Sequence, residues 1–410
     1  MPSPEKLSLS MKNRAFPEYR EANGHIHTPY SFSAFDNLET AFRMANNEGI
    51  SVLGINDFFV TDGYEAFYKE SLFHRVFPLF NIEFIGLLKE EQKKRVRIND
   101  PNNPGRIYFS GKGLDYPFKP EHSIKKKLDE VIEESQNQIK AMIARLNQLI
   151  DPINTNHLLT YEGIKERYAH GLVRERHLAK AIRCLAFENY STPEDQLQFI
   201  EAIYGGKKSK TGLANQAALE NEIRSNLLKA GGAAFVEEDE SSFLDLKTII
   251  SIIIKSGGIP CYPVLLDDHA GKFTEFEADQ ENLYESLTRL GVGCIELIPG
   301  RNDFDILKKF VEFFHEKNFI ITFGTEHNTP EMIPLTITAR GSKALDGSLK
   351  KIAWEGVCVI AAHQYLRAQK REGYVYQDGT LKIDEKKDFA SSGQIVIEYF
   401  LKENNHETGN

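Results

Sequence analysis

Asn23-Gly24-His25-Ile26-His27-Thr28 is the stretch on which the reading of this chain turns. Two histidines one residue apart on an extended segment point to the same side of the backbone, because side chains alternate along a strand. If that segment is a barrel strand, both imidazoles project inward and can grip one divalent cation. A lone His-x-His is weak evidence, since short motifs recur by chance. Its weight comes from the order of the elements C-terminal to it.

Outward from this stretch the chain alternates. Leu38–Asn47 carries Leu38, Ala41, Phe42 and Ala45 at helical spacing, and Gly49 ends it. Residues 51–55 (SVLGI) fit a buried strand tipped by Asn56-Asp57, Tyr64–His74 reads as a helix, and residues 78–85 form a strand carrying Glu83 among apolar neighbours. Such β-α-β-α-β order predicts a parallel sheet or barrel, with reactive groups at strand C-termini, where His27, Asp57 and Glu83 fall. Residues 89–105 read as an exposed loop, 106–110 as a strand and Gly111-Lys112-Gly113 as a turn. Helical patterns then dominate as far as Phe235. Among them Gly205–Lys210 lacks the glycine spacing of a phosphate loop and reads as a basic loop. From Leu244 the α/β alternation resumes, with strands at 259–265, 293–298 and 319–323, the last opening onto Gly324-Thr325-Glu326-His327-Asn328. The expected organisation is a barrel in two parts (18–118 and 237–342), a helical insertion (119–236), and C-terminal helices with a polar tail (343–410). Residues 345–369 are expected to pack outside the barrel.

Composition narrows the function classes. With 59 acidic against 50 basic residues the net charge is −9, which disfavours nucleic acid or an anionic membrane as a main partner. The four cysteines, Cys184, Cys261, Cys294 and Cys358, form no C-x-x-C pair and read as small buried residues in a reducing compartment. No run approaches a membrane span and the N-terminus lacks a signal-peptide core, so a cytoplasmic protein is expected. The oligomeric state is not legible.

In this order the pieces resemble the PHP (polymerase and histidinol phosphatase) family of metal-dependent phosphoesterases. The resemblance rests on His25-Ile26-His27-Thr28, Gly54-Ile55-Asn56-Asp57-Phe58, Asn81-Ile82-Glu83-Phe84, Arg176-His177-Leu178-Ala179, the stretch Gly257 to Pro263 and the stretch Gly324 to Asn328. It covers residues 18–339 and implies a distorted seven-stranded (β/α)7 barrel. It also implies a metal ligand set of His25, His27, Glu83 and Glu326, the last replacing a shorter aspartate. The departures matter as much. Phe58, Tyr108, Tyr262 and Asn328 stand where the family has histidines, and an aromatic ring supplies no neutral nitrogen ligand. A reduced site is expected: one Zn, Mn or Fe per chain, or two if His177, Asp57 and His327 build a second site.

Roles follow from position. A single cation with an open position lowers the pKa of a water. Asp57 is the candidate general base, with a ligand or a loop-fixing aspartate as alternatives. His327 is the candidate to donate to a leaving group or to orient Glu326. Arg174, Arg176 and Arg301 are candidate anion clamps, Arg301 foremost, and Tyr108 and Tyr262 candidate pocket walls. His74, His122, His170, His315, His363 and His406 are given no role, and His157 and His269 stay undecided. Three functions remain open: a metal-dependent hydrolase of a small phosphorylated or otherwise anionic metabolite, a mononuclear metal enzyme (hydrolase, lyase or isomerase) acting on a sugar or sugar acid, and a non-catalytic ligand-binding barrel.

Overall fold

The computed structural model describes residues 2–10, 15–268 and 270–403; His269, His406 and the tail beyond Glu403 lie outside them. Seven strands form one sheet in the order of the sequence: β1 (Ala22–Ile26), β2 (Val52–Phe58), β3 (Phe77–Leu87), β4 (Arg106–Lys112), β5 (Ile259–Val264), β6 (Cys294–Leu297) and β7 (Ile320–Phe323). The sheet nearly closes on itself. Ile26 bridges Glu326 in parallel, the Glu326 N–H donates to the His25 carbonyl at 3.0 Å, and the His27 N–H to the Glu326 carbonyl at 2.6 Å. The result is the distorted α/β barrel that the alternation predicts.

All neighbours run parallel except β4, which is antiparallel to both β3 and β5. This one reversal positions everything above the barrel. β3 runs up to the mouth, the chain folds back in residues 88–105, and β4 descends to the bottom. The 29-residue helix His122–Ile150, about 43 Å long at 1.5 Å per residue, then climbs the outside. Its lower half (Ile124, Leu128, Val131) packs into the barrel core, and its upper half (Ile139, Met142, Ile143, Leu146) into a separate core shared by the helices Tyr161–Tyr168, Glu175–Asn189, Pro193–Ile203 and Gln216–Ile223. This all-helical segment meets the loop after β1, where the His170 and Leu172 N–H groups donate to the Pro29 and Tyr30 carbonyls. The chain rejoins the barrel beside β3, at the Gly86–Leu244 bridge.

Residues 89–105 are only in part the exposed loop that their charge and prolines suggest: 89–95 is mostly exposed, 98–100 is not. Lys89–Lys93 is a short helix, and Ile98, Asn99 and Asp100 are buried. Asn99 offsets its burial by bonding the Tyr108 N–H and carbonyl and the Pro263 carbonyl. The helices Gly347–Ala368 and Lys386–Glu403 close the bottom of the barrel around a second core. Residues Gly356–Gln364 of the first are buried on every side, which is why its sequence shows no polar face. Cys261, Cys294 and Cys358 are buried and all four cysteines are free thiols. No helix among the described residues is long and apolar enough to cross a membrane.

Candidate metal centre

Alternation along the extended backbone puts His25 of β1 and His27, the residue just after it, on the inner face, and register does the rest. Glu83 on β3 lies beside Phe58 of β2 and opposite Ser110 of β4. One ligand atom from each of His25, His27 and Glu83 falls within 4.8 Å of the others, and all three residues are buried. The two Nε2 atoms are 3.2 Å apart, and His27 Nε2 is 3.2 Å from Glu83 Oε2.

Hydrogen bonding assigns the tautomers. His25 Nδ1 lies 2.9 Å from Glu296 Oε1, so it carries the proton and donates it. Ser31 Oγ donates to Asp57 at 2.5 Å, leaving its lone pair for His27 Nδ1–H at 3.3 Å. Both Nε2 atoms therefore present lone pairs towards each other and towards a carboxylate oxygen. Asn56 Nδ2 stands 3.1 Å from His25 Nε2, and two imidazoles with one carboxylate converging on one point make a donor set for a divalent metal. The residues fit a divalent metal.

Electrostatics agree. Burial pushes the His27 pKa down to about 4, keeping the imidazole neutral. Burial, then the nearby Glu326 and Glu296 charges, hold the Glu83 carboxyl well above its usual range despite His25, so a positive charge is needed to ionise it. Glu296 is the reverse. Burial raises it, but His25 and Lys112 outweigh that and hold it at about 2.

The structure distributes the other expected site residues unevenly. Glu326 reaches the lining of the cavity but pairs with Arg301 and is not among the three converging ligands. Tyr108 and Arg301 line the cavity. Asp57 does not fit the general-base role. Its carboxylate accepts from the Thr28 N–H at 2.7 Å, from the Thr28 hydroxyl and from Ser31, so its acceptor positions serve to fix the loop after β1. His327 does not fit a proton donor, because Nδ1 is bonded to Thr325 Oγ1 at 2.8 Å and Nε2–H to the Ile333 carbonyl at 2.9 Å. His177 is the third residue of its helix, and its Nδ1 accepts from the Arg174 N–H at 2.9 Å; among the described residues no second metal site forms around it. Tyr262 is not a pocket wall. It faces out of the barrel and donates to Glu277 at 2.8 Å, while its neighbours Cys261 and Pro263 take the inward positions.

Above the three ligands opens a cavity of ≈ 320 Å³, lined by Phe58, Tyr108, Asn99, Asp100, Arg106, Lys229, Asp267, Arg301, Glu326 and Asn328 among others. The helical segment contributes a concentration of cations at its rim. Arg174 stacks over Phe58 at 4.6 Å, and Glu175 is surrounded by Arg224 at 2.6 Å, Lys229 at 3.9 Å and Arg174 at 3.9 Å. Arg176, half-buried, adds a fourth cation; desolvation first and Arg224 next lower its pKa to about 10. Sequence reasoning named Arg174 and Arg176 but not Arg224 or Lys229, and it missed Glu296 and Lys112 altogether. A carboxylate alone in an apolar strand was the signal that found Glu83, and Glu296 in Cys294–Leu297 carries the same one.

No protein-family model matches the chain, and no curated protein matches it. Solved structures do. A protein described as a metal-dependent phosphoesterase, from Bifidobacterium adolescentis, superposes with a TM-score of 0.53 at 14% identity over 81% of this chain and 95% of that one. An amidohydrolase from Chromobacterium violaceum, solved with sulfate and without metal, gives 0.50 at 14% identity over 81% and 96%. At this identity the likeness is one of fold, a distorted α/β barrel that this chain shares with both structures.

Proposed function

We propose that this chain is a metal-dependent hydrolase of a small phosphorylated metabolite, with one divalent ion held by His25, His27 and Glu83. The observation that carries the reading is the placement of three converging ligand atoms below a cavity that Lys229 lines, with Arg174, Arg176 and Arg224 grouped beside it around Glu175. Arg174 and Arg224 are part-exposed and Lys229 is exposed, so this surplus of positive charge is open to an incoming anion. A divalent ion at the three ligands supplies Lewis acidity and activates a water at neutral pH. The chain's own residues do the rest. Glu296 fixes the His25 ring, and Ser31 with Asp57 fixes that of His27, so both Nε2 atoms aim at one point. Arg174 and Lys229 orient the anion, and Phe58 and Tyr108 wall off solvent on one side. Arg301 holds Glu326 at the lining, where its carboxylate is one ion-pair exchange from the ligand set.

The test is release of inorganic phosphate from a panel of phosphomonoesters by Mn²⁺-loaded protein. Glu83→Ala is expected to lose the metal and at least ~100-fold in kcat/KM, the scale of a removed electrostatic stabiliser. Equal turnover by metal-free Glu83→Ala protein overturns the reading. A second reading, an unphosphorylated sugar or sugar acid as substrate, draws support from the polar side chains of Asn102 and Asn328 along the same cavity. It is favoured if Mn²⁺-dependent turnover appears only with substrates that carry no phosphate.

A further inference from the structure

Beneath the three ligands the barrel interior holds a charge that no part of the metal reading uses. Lys112, the last residue of β4, is buried in the lumen with its Nζ 2.5 Å from Glu296 Oε2 and 3.3 Å from Asn56 Oδ1. Both members of this pair are about 1% exposed. The other oxygen of Glu296 takes the His25 proton at 2.9 Å, so the ammonium acts on the ligand through a single carboxylate. Removing two charges from water costs several kcal/mol per ion, and a pair of apolar residues of the same volume is generally as stable. Lys112 is therefore not explained by the stability of the barrel bottom.

Charge around the ligands gives a reason. The ion-paired set around the two imidazoles comprises four carboxylates (Asp57, Glu83, Glu296, Glu326) and two side-chain cations (Lys112, Arg301), with Arg174 further out over Phe58. With the imidazoles neutral the balance is two negative charges, the complement of one divalent ion. Without Lys112 it is three. Glu296 would then be a free carboxylate in a polar recess beside Ser110 Oγ, 3.5 Å away, and Thr322, its lateral neighbour on β7, whose buried Oγ1 has no partner.

We propose that Lys112 is a built-in substitute for a second metal ion: its ammonium occupies Glu296, keeps that carboxylate out of the ligand set and limits the centre to one divalent ion per chain. The inference rests on the metal reading above, and the experiment separates the two. Wild type, Lys112→Met and the double variant Lys112→Met/Glu296→Gln are equilibrated with Mn²⁺, desalted and measured for bound manganese, with far-UV circular dichroism as the check on folding. Wild type is expected to hold one equivalent, Lys112→Met two, and the double variant one again, because the neutral amide carbonyl put in place of the Glu296 carboxylate still accepts the His25 proton and the balance returns to two negative charges. One equivalent in both wild type and folded Lys112→Met overturns the role of Lys112 and leaves the metal reading standing. No manganese in any of the three overturns both. Should Lys112→Met fail to fold, Glu296→Gln alone decides. It keeps an acceptor for the His25 proton but leaves the Lys112 ammonium with Asn56 and no counter-charge, and the Mn²⁺ Kd is expected to rise ~10-fold to 100-fold, as when a group behind a ligand is changed. An unchanged Kd there overturns the proposal.

Discussion

His363 is buried on the helix Gly347–Ala368, its Nδ1 accepting from the Tyr374 N–H at 2.9 Å and its Nε2–H donating to the Gly257 carbonyl at 2.6 Å. Only the neutral ring can make both bonds, and burial lowers its pKa to about 4. An unfolded histidine titrates near 6.5, so between those values the unfolded chain binds a proton that the native state does not. Stability is then full above about pH 6.5 and is lost as pH falls through 4, by roughly 3 kcal/mol in all. His177, pushed down to about 3 by burial with its Nδ1 engaged, acts with the same sign. The urea midpoint should be level above pH 7 and fall between pH 6.5 and 4. His363→Gln should lower it at pH 7.5 and flatten the fall, and an undiminished fall in that variant would count against this account. Histidines also mark what was legible at this scale. The spacing of His25 and His27 fixes their shared face locally, so the sequence alone reveals them. A histidine on a helix carries no sign of the carbonyl across from it, so nothing distinguished His363 from solvent-facing ones. Tyr262 was misplaced for a related reason: in a strand, one residue of parity separates the lumen from the outside, and the apolar stretch Ile259–Val264 shows no alternation from which to read it.

β4 shows why the element scale was only partly legible. Gly111-Lys112-Gly113 has the composition of a turn, and a lysine between glycines looks solvated. In the barrel the strand runs on to Lys112, because the antiparallel pairing with β5 continues through Gly111–Pro260 and Lys112–Ile259. That extension carries the lysine inside, and with it a positive charge beneath the metal ligands. Helix contacts bring a similar reversal. Gly356 lies mid-helix, where alanine normally stabilises by about 1 kcal/mol. A Cβ there would stand 2.0 Å from the Ile321 carbonyl oxygen of β7, which is backbone and cannot move aside. Gly393 on the last helix is held as tightly against the Cys358 carbonyl. Gly356→Ala should therefore destabilise by at least ~2 kcal/mol, as overpacked cores do, whereas Gly347→Ala at the open start of the same helix should be close to neutral. Urea midpoints of the two variants check this, and a stabilised Gly356→Ala would show that the helix and β7 do not pack in contact.

Across the whole molecule the two halves of the proposed chemistry fall in two different cores. His25, His27, Glu83, Lys112 and Glu296 all belong to the barrel, and Arg174, Arg176, Arg224 and Lys229 all to the helical segment, whose apolar cluster is separate from both barrel clusters. The contacts that cross between them near the mouth are local ones: His170 and Leu172 to the loop after β1, Arg174 over Phe58, Arg176 and His177 against Phe32, Lys180 to Asp36 and Asn221 to Glu331. A ligand stabilises the unit that binds it by RT ln(1 + [L]/Kd), about 2.7 kcal/mol at a hundredfold excess over Kd. Scanning calorimetry should therefore resolve two transitions that answer to different ligands. Stripping the metal with a chelator should lower the barrel transition and leave the helical one in place. Inorganic phosphate should raise the helical transition, and should raise the barrel transition as well only when Mn²⁺ is present, since only then do both cores contact the same anion. One transition that moves as a whole with the chelator would mean that the long helix His122–Ile150, shared by both cores, welds them into one cooperative unit. The anion would in that case report on the barrel directly, and the rim could not be a separately tunable part of the site.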